Sequence, residues 1–360
     1  MSVRKIARSI LIFILPILFA GCGAVRTSTP APAPTPRFAF VANLFSNRIS
    51  IYAVDPQTGH LSLKGTVPSG GTNPRVITVE PSGRFAYVGN VVSNDISVFA
   101  IDSNTGSLTM VGSPVPAGNG PRFIVVGPAG NLLYAVEQNS SRVSAFSINP
   151  NTGALTLVGA PALTDELPVA LSFHPSGRFA YVANANSGDI TVYAVDNFGG
   201  LGLLGAIPAR EIPASITMHP SGTFAYVANF GSNEITIFSI DATTGALTPL
   251  TPRVATDDGP TSVTVDHQGR FAYVTNTTAG SVLVFAIDAA TGSLTPASTT
   301  STGTNPVALT LDPSGRFVYV ANLGSDNITP FAVDATTGAL TPAGPPVDAD
   351  MGPASLALTK

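Results

Sequence analysis

The chain repeats itself seven times. Segments related to Arg84-Phe85-Ala86-Tyr87-Val88 begin at Arg37, Arg84, Asn131, Arg178, Thr223, Arg270 and Arg316, at intervals of 47, 47, 47, 45, 47 and 46 residues. A fixed period of this length means that one supersecondary unit stacks on copies of itself, because no unit buries its apolar surface alone. One column of the repeat reads Phe40, Tyr87, Tyr134, Tyr181, Tyr226, Tyr273, Tyr319. The column two residues earlier reads Phe38, Phe85, Leu132, Phe179, Phe224, Phe271, Phe317. Small or β-branched residues alternate with them, as Ala86 and Val88 do. Strand side chains alternate between faces, so one face carries two large rings and the other two small aliphatics. Both faces are apolar and both are predicted to be buried, bulky face against small face between neighbouring units.

Each unit continues with a second strand, such as 96–101, and then a turn of pattern D/N-x-x-T-G starting at Asp55, Asp102, Asn149, Asp241, Asp288 or Asp334. That pattern fits a type I turn closed by a left-handed glycine. A short third strand follows, as at 108–111, and a loop leads to a proline present in every unit: Pro74, Pro121, Pro168, Pro213, Pro260, Pro306 and Pro353. The strand after that proline ends at a P-S-G turn that re-enters the aromatic strand. Four strands per unit define a propeller blade. Residues 37–360 are therefore predicted to form an all-β, seven-bladed β-propeller with four-stranded antiparallel blades. The repeat starts at the aromatic strand yet finishes with an additional strand, 354–359. The ring is predicted to close by this C-terminal strand completing the first blade, which removes exposed edges. The 35 Gly and 31 Pro punctuate the turns and argue against helices. The charged fraction of 11%, against about 25% in an ordinary globular chain, follows from blades buried on both faces. So few charges exclude a typical nucleic-acid binder, which needs clustered Lys and Arg.

The first residues read as an address. Arg4, Lys5 and Arg8 precede an apolar run from Ile10 to Ala20 that ends in Ala20-Gly21-Cys22. A basic start, a short apolar core and small residues at a cleavage point make a secretory signal over 1–21. The run is too short to span a bilayer, which takes about twenty residues. Cys22, the one cysteine of the chain, sits where a bacterial lipobox places its lipidated residue. Residues 22–36, with the stretch TSTPAPAPTP, are expected to form a proline-rich tether. Removing the signal takes the formal net charge from −4 to −7, which disfavours contact with anionic lipid except through the anchor. The expected location is the bacterial cell envelope, periplasm, outer membrane or cell surface, as a lipid-anchored monomer.

In a repeat scaffold, function is expected where a unit departs from the pattern. The Asp of the D-x-x-T-G turns and the Arg before each aromatic strand recur, and so read as structural. An Asn ends most aromatic strands (Asn43, Asn90, Asn184, Asn229, Asn276, Asn322), whereas the third unit has Glu137. The remaining charges concentrate beside the repeated proline: Arg75, Arg122, Asp165, Glu166, Arg210, Glu211, Asp257, Asp258, Asp348 and Asp350. They are expected around one mouth of the central channel. There they would hold a small polar or anionic ligand through Arg forks, or engage an envelope protein. His174, His219, His267 and His60 lack ligand spacing and read as turn residues. No metal site and no cofactor are expected, and no G-x-S-x-G elbow is present.

The recurring P-S-G-R-F-A-Y-V-A-N, with the hairpin I-D-x-x-T-G-x-L, resembles the YVTN/lactonase-type seven-bladed propellers, which include 6-phosphogluconolactonase-like and carboxymuconate-cyclising enzymes. The resemblance spans residues 37–359 and implies a lactone-hydrolysing enzyme as the alternative to a binding scaffold. The family stretch reads roughly G-P-R-H-x-x-F-H-P-x-G-x-x-x-Y-V-x-N-E, with Arg, His and the final Glu at the active site. Its counterpart here is Gly120-Pro121-Arg122-Phe123, running on to Tyr134-Ala135-Val136-Glu137-Gln138. Arg122 matches the family Arg, Phe123 stands in the His position, and Gln138 stands in the Glu position with Glu137 one residue early. The resemblance implies that Arg122 and Arg75 would polarise a lactone carbonyl while Glu137 aids water attack.

Overall fold

A computed structural model describes residues 37–359. The expected signal at 1–21, the expected tether at 22–36 and Cys22 lie outside the described residues. Among the described residues every regular element is a β-strand, and the strands fall into seven sheets arranged as the blades of a propeller. The second blade shows the plan, with Pro74–Val79 innermost, then Phe85–Asn90, Asp95–Ile101 and Leu108–Met110 outermost. The other innermost strands are Pro121–Val126, Pro168–Phe173, Pro213–Met218, Pro260–Val265, Pro306–Leu311 and, in the first blade, Pro353–Leu358. In three blades the outermost strand is broken in two, as at Leu108–Met110 and Val115–Pro116.

The ring closes as the repeat register requires. Pro353–Leu358 pairs antiparallel with Phe38–Asn43, Ala39 opposite Leu358 and Val41 opposite Leu356. The Thr359 hydroxyl accepts from Phe38 N at 3.1 Å, and Thr359 N donates to Phe38 O at 3.0 Å. Chain ends more than three hundred residues apart thus share one sheet.

The aromatic strands are buried along their whole length in all seven blades. Their Phe and Tyr pack on the small aliphatic face of the next blade, as Phe85 and Tyr87 do with Leu133 and Ala135. Polar atoms of the repeat join blade to blade. Tyr87 OH donates to Gly153 O, Tyr181 OH to Gly245 O and Tyr226 OH to Gly292 O. Tyr319 OH donates to Gly59 O, across the point of closure. Each acceptor is the glycine of the next D-x-x-T-G turn. At Gly153 the backbone has φ +72, and a Cβ would lie 2.4 Å from the Phe85 ring, so only glycine fits. The Arg before the strand stacks on the same Phe, Arg84 at 5.5 Å from the Phe85 centroid, and Arg270 Nη1 donates to Ala335 O of the neighbouring turn. The recurrent Arg is an inter-blade clasp.

The turn acids and histidines hold backbone. Asp241 Oδ1 accepts from Thr243 N and Thr244 N, and Asn149 does the same in the third unit. Hydrogen bonds from Thr244 and then Thr243 keep the Asp241 carboxyl below the usual carboxylate range. His174 Nε2 donates to Gly222 O in the next blade, while Nδ1 accepts from Ser176 N. His219 repeats the arrangement on Gly269 O and Ser221 N.

Candidate functional site

The repeated proline sets the innermost strand, so the next residue of every unit faces the channel. The lining changes in chemistry around the ring: Arg75, Arg122, Val169, Ala214, Thr261, Val307 and Ala354, each followed by a second lining residue, including Phe123 and Ser215. They enclose a cavity of about 170 Å³. Its cationic groups come from the second and third blades alone, and among the described residues no carboxylate or histidine lines it.

A second tier stands over this ring. It is made by the residue after each aromatic strand: Leu44, Val91, Gln138, Ala185, Phe230, Thr277 and Leu323. Each of their amides donates to the carbonyl of the residue before a repeated proline, for example Gln138 N to Gly120 O at 3.0 Å and Phe230 N to Ile212 O at 2.8 Å. Side chains of the two tiers touch. Arg122 Nη1 donates to Gln138 Oε1 at 3.2 Å. Thr277 and Thr261 hydroxyls are 2.7 Å apart, and Thr277 Oγ1 donates to Pro306 O of the next blade at 2.6 Å.

Arg75 and Arg122 are half-buried in the channel wall. Burial pushes the guanidinium of Arg75 down. Burial first, and the like charge of Arg75 second, push Arg122 down to about 10. Both groups stay charged at neutral pH. Among the described residues no carboxylate pairs with either one. Two recessed cations without a counter-charge favour an anion that enters the channel and supplies one.

The structure separates the other expected charges from the channel. Asp165, Glu166, Arg210, Glu211, Asp257 and Asp258 lie in the loops between outermost and innermost strands, where local partners hold most of them. Arg210 Nε is 3.1 Å from Glu234 Oε1. Glu166 accepts from Asn186 Nδ2 at 2.5 Å, Asp257 from Ser281 Oγ at 2.7 Å and Asp258 from Asn233 Nδ2 at 3.0 Å. Burial, followed by Asp189, raises the Asp165 carboxyl. Glu211 packs its Cβ toward Gly231. Asp350 faces Arg48 Nε at 3.5 Å. These loops precede the proline, and their side chains bond to hairpins of the following blade, or in Asp258 of the preceding one; among the described residues the cavity is lined by residues after the proline.

Glu137 also takes a different place from the one the resemblance implies. It ends its strand in the register of the structural Asn column, 2% exposed. There it accepts from Ser140 Oγ at 2.6 Å and from Ser144 Oγ. In the same register Asn90 Nδ2 donates to Ser97 Oγ and Asn184 Nδ2 to Thr191 Oγ1. Strand alternation sends Glu137 away from the channel and brings the following residue, Gln138, onto Arg122. Thr261, Thr277 and Phe230 carry no charge and join the site only through the structure. Their signal was available in the two columns that follow the repeated proline and the strand-ending Asn.

Fold and site together define a seven-bladed propeller with a cationic patch on one side of its channel mouth. The chain belongs to the lactonase, 7-bladed β-propeller family, matched over residues 26–120, 77–169, 118–264 and 249–352. Among curated proteins, no sequence relative matches. Among solved structures, a candidate 6-phosphogluconolactonase from Bacteroides fragilis superposes with a TM-score of 0.80 at 20% identity, covering 92% of this chain and 100% of its own. A protein from Lactobacillus plantarum gives 0.80 at 24%, covering 91% and 100%. The periplasmic gluconolactonase of Pseudomonas aeruginosa gives 0.79 at 21%, covering 90% and 99%. At these identities the likeness is one of fold.

Proposed function

We propose that this protein is an exported, lipid-anchored member of the lactonase family whose channel mouth binds a small organic anion. The observation that carries the reading is the pair Arg75 and Arg122, recessed together without a carboxylate partner. Gln138 adds an amide that accepts from Arg122 and offers its own N–H groups to a ligand oxygen. The lipobox at Cys22 and the proline-rich tether support a place in the cell envelope, and the similar Pseudomonas protein is a periplasmic one.

Family membership favours lactone hydrolysis as a second reading, with Arg122 polarising the carbonyl of the ring. Ring opening also needs water activated by a base within hydrogen-bond reach. An amide at Gln138 and a phenyl ring at Phe123 do not remove a proton, so binding without turnover is the primary reading.

Titration of the mature protein with gluconate, followed by calorimetry, tests it. Loss of one charge-assisted contact costs about 1.5–3 kcal/mol, so Arg75→Gln and Arg122→Gln are each expected to weaken binding at least tenfold. Gln138→Glu is expected to abolish binding by placing a carboxylate on Arg122. Hydrolysis of a lactone panel above the spontaneous rate, lost in Arg122→Ala, would establish the enzyme instead. Gluconate affinity unchanged in all three variants would remove the channel from consideration. Detergent-phase partitioning lost in Cys22→Ser checks the anchor.

A further inference from the structure

The channel is two-sided in chemistry. Beside Arg122, the fourth and fifth blades line its lower tier with Val169, Ala170 and Ala214, whereas Thr261 of the sixth blade lies across from the two arginines, with hydroxyls also at Ser215, Ser262 and Ser355. On the fifth blade the upper tier adds the ring of Phe230, which is 36% exposed. The Phe230 ring leans over the junction with the next blade, since a Cβ on Gly259 would come within 3.1 Å of its Cε2.

The backbone adds an independent sign. The residue before each repeated proline is left-handed in all seven units: Asn73, Gly120, Leu167, Ile212, Gly259, Asn305 and Gly352, with φ from 50 to 74. Five are Gly or Asn, the types that adopt this conformation readily. Leu167 and Ile212 are not, and a bulky or β-branched residue there is strained. Their side chains do not repay that strain in the core, being 39% and 46% exposed. Their carbonyls accept from Ala185 N and Phe230 N, so both stand at the mouth, beside the apolar sector. Strain held by two adjacent units in one sector of the rim marks a functional position.

Resting on the anion-binding reading above, we infer that the ligand is an amphipathic organic anion, an aryl- or short alkyl-carboxylate. Its head meets Arg75, Arg122 and Gln138. Its apolar body lies against Val169 and Ala214 and under Phe230, with Ile212 and Leu167 extending the apolar rim. A cavity of about 170 Å³ suits a body of about one benzene ring, since an apolar cavity of roughly 150 Å³ holds benzene. A polyhydroxylated anion placed the same way would leave the hydroxyls that face Val169, Ala170 and Ala214 unpaired.

Calorimetric titration of the mature protein with phenylacetate, gluconate and neutral phenylacetamide tests the inference. Phenylacetate is expected to bind at least tenfold more tightly than gluconate, and phenylacetamide at least tenfold more weakly than phenylacetate. Phe230→Ser and Ile212→Gly are expected to cut phenylacetate affinity severalfold while leaving gluconate affinity unchanged. Ile212→Gly is also expected to raise the melting temperature, which separates loss of the rim from loss of the fold. Gluconate binding as tightly as phenylacetate, or a preference that both variants keep, would overturn the apolar-body inference and leave the anion site standing. Failure of both anions to bind would overturn the two together.

Discussion

Replacing a single phenolic oxygen tests how the blades are joined. Tyr226 is fully buried, and its hydroxyl donates to Gly292 O of the next blade at 3.1 Å. Tyr273 occupies the same column and is equally buried, yet its hydroxyl has no hydrogen-bond partner among the described residues. Phenylalanine at either position keeps the ring and its packing. At Tyr226 it removes one net hydrogen bond and strands a buried carbonyl, for a cost of about 1–2 kcal/mol. At Tyr273 it removes an unpaired buried hydroxyl, so stability should hold or rise by up to about 1 kcal/mol. The assay is equilibrium urea unfolding of both variants at unchanged m. Tyr226→Phe should lower the midpoint and Tyr273→Phe should not, and Tyr319→Phe should behave like Tyr226→Phe because Tyr319 spans the closure to Gly59 at 2.9 Å. Equal losses at Tyr226 and Tyr273 would show that ring packing alone joins the blades.

Removing the last seven residues takes away most of the innermost strand of the first blade and exposes Phe38–Asn43 as an edge, so the truncated protein should melt at markedly lower temperature and aggregate. In alkali, burial raises all eight tyrosines, Tyr52, Tyr134 and Tyr193 to about 12 and the other five further. A folded value above the unfolded one is a contribution present below pH 10 and lost as pH rises beyond it. Absorbance at 295 nm should therefore show the phenols ionising with unfolding, and not before it. In acid the sign reverses for Asp55, Asp102, Asp241, Asp288 and Asp334, which turn amides hold low. Their contribution is present above the ordinary carboxylate range and is lost as pH falls through the lowered folded values. Asp241→Asn, which copies the natural Asn149, should lessen the acid sensitivity measured by thermal melts from pH 5 to pH 2.

The fold was legible because each requirement of a blade is written seven times. Alternating large and small residues on two apolar faces allow only stacked sheets, and an orphan strand at 354–359 allows only closure on the first blade. The site was legible in part. Arg75 and Arg122 stood out as the two cations following the repeated proline, and that column proved to be the channel wall. The acidic loops were close in sequence but belong before the proline, where side chains bond to the hairpins of the adjoining blades; linear proximity does not resolve that reversal. Glu137 shows the same limit at one-residue resolution. Its charge drew attention, but strand alternation gives the channel to Gln138. The apolar sector of the mouth is not marked in the sequence, because Phe230, Leu167 and Ile212 look ordinary until their register and backbone are known.

The most direct measurement is a crystal of the mature protein soaked in bromide and examined by anomalous scattering. A bromide should appear in the channel mouth in contact with Arg75 and Arg122, and should vanish in the Arg75→Gln, Arg122→Gln double variant. Bromide bound only at cations outside the channel such as Arg210, with none between Arg75 and Arg122, would contradict an anion site in the channel.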